Sequence, residues 1–343
     1  MTVKWGRSAA GSASQWHCEG RGFESLRLHH KRDRRGPFFV MLIIFFLLTS
    51  TSLYSLEIYF TKDNTVLDNV LDIIKGTENE LLIVAFSLDH PEIIEALNDL
   101  VHKGVYVEAM VDNSTIQRTV LLDPAFKVLC DSSDALIHTK FLISDMKHSV
   151  IGTGNFTLSG LQEGLNSFLF FDSDEIASGL YDFFCAIKKG LSVNEFSFSN
   201  SSFYLLPNFS LKKKVLNQML NAKGSIFIAA YAFTDYDFLG VMKLQSIRGV
   251  EIRCLVDSWT YDYGEIVSYL NNPFLIRRIG SQKSLHEKTM VLDDEVVITG
   301  SANLTYSAYE KNRELVVIIK NKEVAKEYLE YFNYIWEVWG NDN

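Results

Sequence analysis

Leu81-Leu82-Ile83-Val84-Ala85-Phe86 is an unbroken apolar run of strand length. Ile226-Phe227-Ile228-Ala229-Ala230-Tyr231 repeats it 145 positions later (81 to 226). At the same offset, Gly104-Val105-Tyr106-Val107-Glu108 through Val111-Asp112 matches Gly249-Val250-Glu251-Ile252-Arg253 through Val256-Asp257. Between the first two runs, Ile93, Ile94, Leu97, Leu100 and Val101 fall at helical spacing within Glu92–His102. Upstream, Val66, Leu67, Val70, Leu71 and Ile74 mark another amphipathic helix, answered in the second copy by Val215, Leu216 and Met219. A long amphipathic helix carrying Val324, Tyr328, Leu329, Phe332, Ile335, Trp336 and Trp339 closes the chain. Each half is therefore a helix–strand–helix–strand unit. The pattern predicts an α/β protein of two similar lobes from an internal duplication, each a mixed β-sheet flanked by helices. A repeat of this size is a domain and not a solenoid period. Ser and Asn crowd together between positions 194 and 203, so the expected lobes are 57–198 and 199–343.

A second repeat carries polar chemistry. His138-Thr139-Lys140, Asp145 and Gly152-Thr153-Gly154-Asn155 recur as His286-Glu287-Lys288, Asp293 and Gly300-Ser301-Ala302-Asn303, every member displaced by 148 positions (138 to 286). His and Lys two apart on a strand point to one face. Asp145-Met146-Lys147 and Asp293-Asp294-Glu295 are polar enough to turn the chain, so the next strand returns Asn155 or Asn303 beside its own His and Lys. Each half thus brings an imidazole, an ammonium, an amide and a hydroxyl to one place. An imidazole is nucleophilic near neutral pH, and a second can protonate a departing alkoxide. Lys140 and Lys288 offer positive charge to an anionic group, while Asn155, Asn303, Thr153 and Ser301 are candidate partners for its oxygens. Asp145 and Asp293 read as turn or ion-pair residues.

This duplicated HKD signature resembles the phospholipase D superfamily from about Ile58 to the C-terminus, including Tyr231-Ala232-Phe233-Thr234-Asp235. The resemblance implies a metal-independent phosphodiesterase without cofactor, with one active site at the pseudo-two-fold interface of the lobes. One His attacks phosphorus to form a phosphohistidine and the other protonates the leaving oxygen; no oligomer is required, because both motifs lie in one chain. Eleven residues after Asn155 and Asn303 stand Asn166 and Glu314. In the bacterial nuclease branch of the superfamily an acidic residue here orients the catalytic His. If each group serves the His of its own lobe, Glu314 raises the pKa of His286 and makes it the general acid, leaving His138 as the neutral nucleophile. The expected substrate is a phospholipid, with an exported or surface nuclease as the alternative, and a phosphatidyl transferase or a degenerate phosphodiester-binding protein as minor ones.

Charge and cysteine content narrow the setting. Formal charge is −9, yet residues 1–40 hold eight basic against three acidic residues, leaving 25 basic against 39 acidic in the remainder. A body that acidic repels a phosphate backbone at long range, so nucleic-acid affinity requires a local patch. Lys212-Lys213-Lys214 reads as a solvated helix face, Trp336 and Trp339 as core, and His90, His102 and His148 as residues without chemistry. Four cysteines (Cys18, Cys130, Cys185, Cys254) are too few for a disulfide framework and read as buried thiols. No His or Cys cluster stands at metal-ligand spacing.

At the N-terminus, Lys31-Arg32-Asp33-Arg34-Arg35 precedes the eleven-residue apolar run Phe38–Leu48, and small polar residues follow to Ser55. Positions 41–56 read as a signal peptide or membrane anchor, which predicts an extracytoplasmic protein with possible membrane association. Residues 1–40 read as a non-native or disordered extension, with Met41 as the true start.

Overall fold

The computed structural model describes residues 55–131, 133–191, 195–263, 275–280 and 282–341. The basic segment, the apolar run Phe38–Leu48 and Met41 lie outside them.

Nine helices frame the described residues: α1 (Val66–Gly76), α2 (Pro91–His102), α3 (Ile116–Val120), α4 (Asp174–Lys189), α5 (Leu211–Asn221), α6 (Tyr236–Ile247), α7 (Ser258–Tyr263), α8 (Tyr306–Glu310) and α9 (Lys322–Val338). The first sheet contains β1 (Ser55–Phe60), β2 (Glu80–Ala85), β3 (Tyr106–Val111), β4 (Lys127–Leu129), β5 (Phe141–Ser144), β6 (His148–Gly152) and β7 (Ser167–Asp172). The second contains β8 (Glu195–Phe198), β9 (Ser201–Leu205), β10 (Ser225–Ala230), β11 (Glu251–Val256), β12 (Leu275–Ile279), β13 (Lys288–Leu292), β14 (Val296–Gly300), β15 (Leu315–Lys320) and β16 (Gly340–Asn341). Their orders are β1-β7-β6-β5-β2-β3-β4 and β16-β12-β11-β10-β13-β14-β15-β9-β8.

The two apolar runs found in the sequence are the sheet centres. β2 lies parallel to β3 and antiparallel to β5, and β10 stands in the same relation to β11 and β13. Residues 81–85 are buried because helices or the other lobe cover both faces, which is why these strands read as continuous rather than alternating. Both sheets are mixed, as expected.

Three apolar clusters hold the layers together. One packs α1 and α2 on the first sheet through residues such as Val70, Leu97 and Leu81. Another packs α5 and α6 on the second through Val215, Met242 and Ile228. The third draws from both lobes: Ile143 and Leu169, Phe227 and Val317, with Leu180 and Phe183 of α4 and Tyr328, Phe332 and Ile335 of α9. Each buried aromatic here contributes roughly 2–3 kcal/mol of transfer free energy, so the interface between the lobes is core. Trp336 belongs to it, as the helical spacing predicted.

The hairpins β5–β6 and β13–β14 turn where the two aspartates stand. Asp145 and Met146 have φ of 50° and 54°, and Asp293 and Asp294 both have 52°, the left-handed pair that a tight hairpin needs. The Asp145 carboxylate accepts N–H bonds from Glu78, Asn79 and Glu80, at 2.8, 2.7 and 3.0 Å. Asp293 accepts from Lys223, Gly224 and Ser225. Partial burial opposes ionisation, but the three donors outweigh it and hold both carboxyls below the usual range. These residues pin each turn to the loop entering the central strand.

The cysteine expectation needs correction. Cys130, Cys185 and Cys254 are free, but only Cys254 is buried and Cys130 is exposed.

Candidate active site

Both histidines sit in extended segments that enter β5 and β13, not inside the strands as the alternation argument assumed. What fixes these segments is a pair of backbone bridges between the lobes. Ile137 pairs in parallel with Arg313, and Leu285 with Leu165. His138 N–H donates to the Arg313 carbonyl at 2.9 Å, and His286 N–H to the Leu165 carbonyl at 3.0 Å. The sheets are thus stitched to each other at the two places where the motifs begin.

The bridges cross the orienting groups. Glu314 follows Arg313, and its Oε2 accepts from His138 Nδ1 at 2.8 Å. Asn166 follows Leu165, and its Oδ1 lies 3.1 Å from His286 Nδ1. Each histidine is therefore held by the opposite lobe. This overturns the expectation that Glu314 serves His286, and with it the carboxylate argument for His286 as the acid. The physical reason is register: a parallel bridge one residue ahead of both partners sets them side by side across the interface. In both rings it is Nδ1 that meets the group from the opposite lobe.

The lysines lie on the same side. Lys140 is fully buried and donates to its own motif's His138 carbonyl; Lys288 Nζ donates to the His286 carbonyl at 2.6 Å. Burial pulls the Lys140 ammonium down to about 7, with Glu314 and Asp112 opposing. Burial and then the charge of Lys140 pull Lys288 well below its ordinary value. His286 is driven well below the usual imidazole range by burial, then by Lys288, Lys140 and His138. His138 is lowered by burial, with Glu314 opposing. The basic groups of both motifs thus repel one another across one small volume, an arrangement that favours an anion between them. The ring of Phe86 lies against His138 at 5.3 Å between centroids, and Tyr231 against His286 at 4.9 Å.

Asn155 and Asn303 follow β6 and β14, and their Oδ1 atoms are buried without a protein partner. The chain passes tightly here: a Cβ on Gly154 would come within 2.5 Å of the Gly160 carbonyl and 2.8 Å of the Asn166 amide carbon. Ser301 Oγ donates to Glu314 Oε2 at 2.5 Å and accepts from Leu315 N–H at 2.9 Å. Thr153 Oγ1 donates to Asn166 Oδ1 at 3.2 Å and accepts from Ser167 N–H at 3.0 Å. Their hydroxyl hydrogen bonds hold the orienting groups Glu314 and Asn166. Lys212 is bound by Asp235 and Asp237 and is no phosphate grip.

Two aspartates and a glutamate were overlooked. Asp112 Oδ2 accepts from Ile137 N–H and Asp257 Oδ2 from Leu285 N–H, both at 2.8 Å, fixing the residue before each histidine. Their signal was present: both end the repeated strand. Glu287, between His286 and Lys288, is buried and bonded to Ser167 at 3.1 Å and Thr289 at 2.6 Å. Thr139 occupies the corresponding place in the first half, so the repeat gave no hint of a carboxylate.

Comparison with known proteins agrees with this geometry. The family model described as cardiolipin synthase, PLD-like domain, matches residues 70–187 and again 215–336. A phospholipase D from Rickettsia prowazekii is 28% identical over 141 residues, covering 40% of this chain and 69% of that protein. A mitochondrial cardiolipin hydrolase from Canis lupus familiaris is 31% identical over 131 residues, covering 36% of this chain; the match spans 50% of the hydrolase. The crystal structure of phosphatidylserine synthase from Haemophilus influenzae superposes with a TM-score of 0.67 at 12% identity, over 83% of this chain and 87% of that one, a likeness of fold. With one match in each lobe, and a histidine and a lysine from each interacting across the join, the chain belongs to the PLD-like domain family.

Proposed function

We propose that the protein is a metal-independent phosphodiesterase that hydrolyses phospholipids through a phosphohistidine intermediate, and that it works outside the cytoplasm. The observation that carries the reaction is the crossed pair His138–Glu314 and His286–Asn166.

In this reading a phosphodiester anion lies between the two Nε2 atoms, with Lys140, Lys288, Asn155 and Asn303 around its oxygens. His138 Nε2 attacks phosphorus, the bond to the leaving oxygen breaks, and His286 gives that oxygen its proton. Forming the P–N bond places a full positive charge on a buried ring. Glu314, held below its usual pKa chiefly by His138 despite its burial, is the group able to balance that charge, which favours His138 as nucleophile. Asn166 offers no charge, so His286 can release a proton readily. The anionic substrate counters the lysines and lets His286 hold that proton while bound. Water then attacks phosphorus, returns a proton to His286 and frees His138. The two ammonium groups supply the positive charge along this route.

Exposed apolar residues close to the catalytic ones support a lipid. Leu136 precedes His138 by two residues, and Leu158 and Tyr306 follow Asn155 and Asn303 by three, a reach of at most about 10 Å. Trp259, 43% exposed, stacks on Tyr231, which itself packs against His286. The names of the relatives, phospholipase D and cardiolipin hydrolase, point the same way. Location outside the cytoplasm is supported by the basic segment and apolar run between positions 31 and 48.

The test is a parallel assay on phosphatidylcholine vesicles, cardiolipin vesicles and single-stranded DNA in excess chelator. Headgroup release from vesicles, lost in His138→Ala, is expected. Cleavage of DNA alone would overturn the lipid reading, and loss of all activity in chelator would overturn the metal-free mechanism.

A further inference from the structure

Asn166 and Ser167 are consecutive, as are His286 and Glu287, and consecutive residues of extended chain face opposite ways. On the catalytic face Asn166 meets His286; on the reverse face Ser167 meets Glu287, with Ser167 Oγ donating to Glu287 Oε2 at 3.1 Å. The first motif has no such second tie, since Thr139 stands opposite Leu315 and its hydroxyl finds no partner. Each histidine therefore has one glutamate close by, Glu314 beside His138 and Glu287 behind His286.

Glu287 is closely held and buried. Thr289 Oγ1 donates to Oε2 at 2.6 Å and bonds Thr299 at 2.9 Å, while Tyr328 hydroxyl donates to Ser167 Oγ at 3.2 Å. A cavity of about 10 Å³ lies against it, lined by Thr289, Tyr328, Tyr331 and apolar residues of β10 and α9. Oε1 is buried with no protein partner. The titratable groups that interact with it are Lys288 on its own segment and Tyr328 and Tyr331 on α9, with His286 its chain neighbour on the opposite face; Ser167 of β7 and the apolar residues of β10 contribute none. Burial raises both tyrosines far above neutrality, so they stay protonated.

We infer that Glu287 is a positioning residue: it clamps the Asn166–His286 arm from behind and supplies the negative charge that sets the proton affinity of His286 and Lys288. This rests on the phosphodiesterase reading above. Burial pushes the Glu287 carboxyl up to about 7, against its hydrogen bonds to Thr289 and Ser167 and the charge of Lys288. Below that pH it is neutral. Above it the anion favours protonated His286 and charged Lys288, so its support of catalysis grows as pH rises through 7.

Glu287→Gln keeps the shape and an acceptor for Ser167 and Thr289 but cannot ionise. The experiment compares kcat against pH, and the 15N-resolved imidazole titration of His286, in wild type, Glu287→Gln and Ser167→Ala. The ratio of the Glu287→Gln kcat to that of wild type is expected to fall about tenfold between pH 6 and pH 8, the scale of one pKa unit. The His286 resonances should sense a titration near pH 7 in wild type and in Ser167→Ala, but not in Glu287→Gln. A profile and His286 titration unchanged in Glu287→Gln would overturn the inference while leaving the reaction intact. A wild type without phosphodiesterase activity would instead overturn the reading beneath it, and the imidazole titration would still report on Glu287.

Discussion

The two halves of the site repeat the same residues at the same spacing and differ in what stands beside and behind each histidine. His138 has a carboxylate at Nδ1 and a threonine at its back; His286 has an amide at Nδ1 and a carboxylate at its back. Symmetric halves would hold two rings of equal proton affinity, and neither would be committed to attack or to protonation. In the proposed reaction the asymmetry divides the work. A charge in contact with Nδ1 stabilises a ring that becomes cationic by bonding to phosphorus; a charge one layer removed tunes a ring that trades a proton.

The largest effects come from removing the rings themselves. His138→Ala is expected to lower kcat at least about 10⁴-fold on every phosphodiester. His286→Ala should cost about 10²–10⁴-fold in turnover of an alkyl ester but slow the first-turnover release of p-nitrophenol from a p-nitrophenyl ester, whose leaving group needs no proton, less than about tenfold. Steady-state and burst-phase assays check this, and equal losses of the burst in both histidine variants would erase the division of roles. Next comes the carboxylate. Glu314→Gln should lower kcat about 10²-fold, more than Asn166→Ala does, because a charge-assisted bond to a buried ring is lost. Asn166→Asp places a carboxylate beside His286 and raises its pKa, so the alkaline limb of the kcat/KM profile, where the general acid loses its proton, moves to higher pH.

Stability gives a further contrast, since the buried ammonium groups serve the substrate and not the fold. Lys140→Met should abolish activity yet stabilise the protein by about 1–4 kcal/mol at pH 7 in denaturant unfolding. The Lys140 pKa is lowered to about 7 in the folded chain, so between about pH 7 and the ordinary lysine pKa the unfolded state binds the extra proton. Wild-type stability then rises with pH across that window, and the gap to Lys140→Met narrows. Smallest is the effect of the turn: Asp145→Ala frees three N–H groups and should cost about 1–3 kcal/mol of stability while kcat changes less than twofold.

Much of this was written in the order of residues, because β2 and β10 are buried on both faces and print continuous apolar runs, and because the polar repeat has one fixed offset. The lobes, their mixed sheets, the two histidines, the lysines and the turning aspartates all followed. The crossing of Glu314 to His138 did not. It depends on the bridges Ile137–Arg313 and Leu165–Leu285, which join residues far apart in sequence and leave no periodic trace. The ties of Thr153 to Asn166 and of Ser301 to Glu314 were hidden for the same reason, since a hydroxyl's neighbours in space leave no mark in the spacing. Glu287 was hidden by its place inside the motif, where strand alternation turns it away from the catalytic face.

The direct measurement is to trap the enzyme during turnover of a phospholipid, digest it under alkaline conditions that preserve phosphohistidine, and locate the adduct by mass spectrometry. A phosphatidyl group on His138 in wild type, accumulating in His286→Ala and absent from His138→Ala, is the predicted result. An adduct on His286, or turnover with no covalent species at any time, would contradict the account.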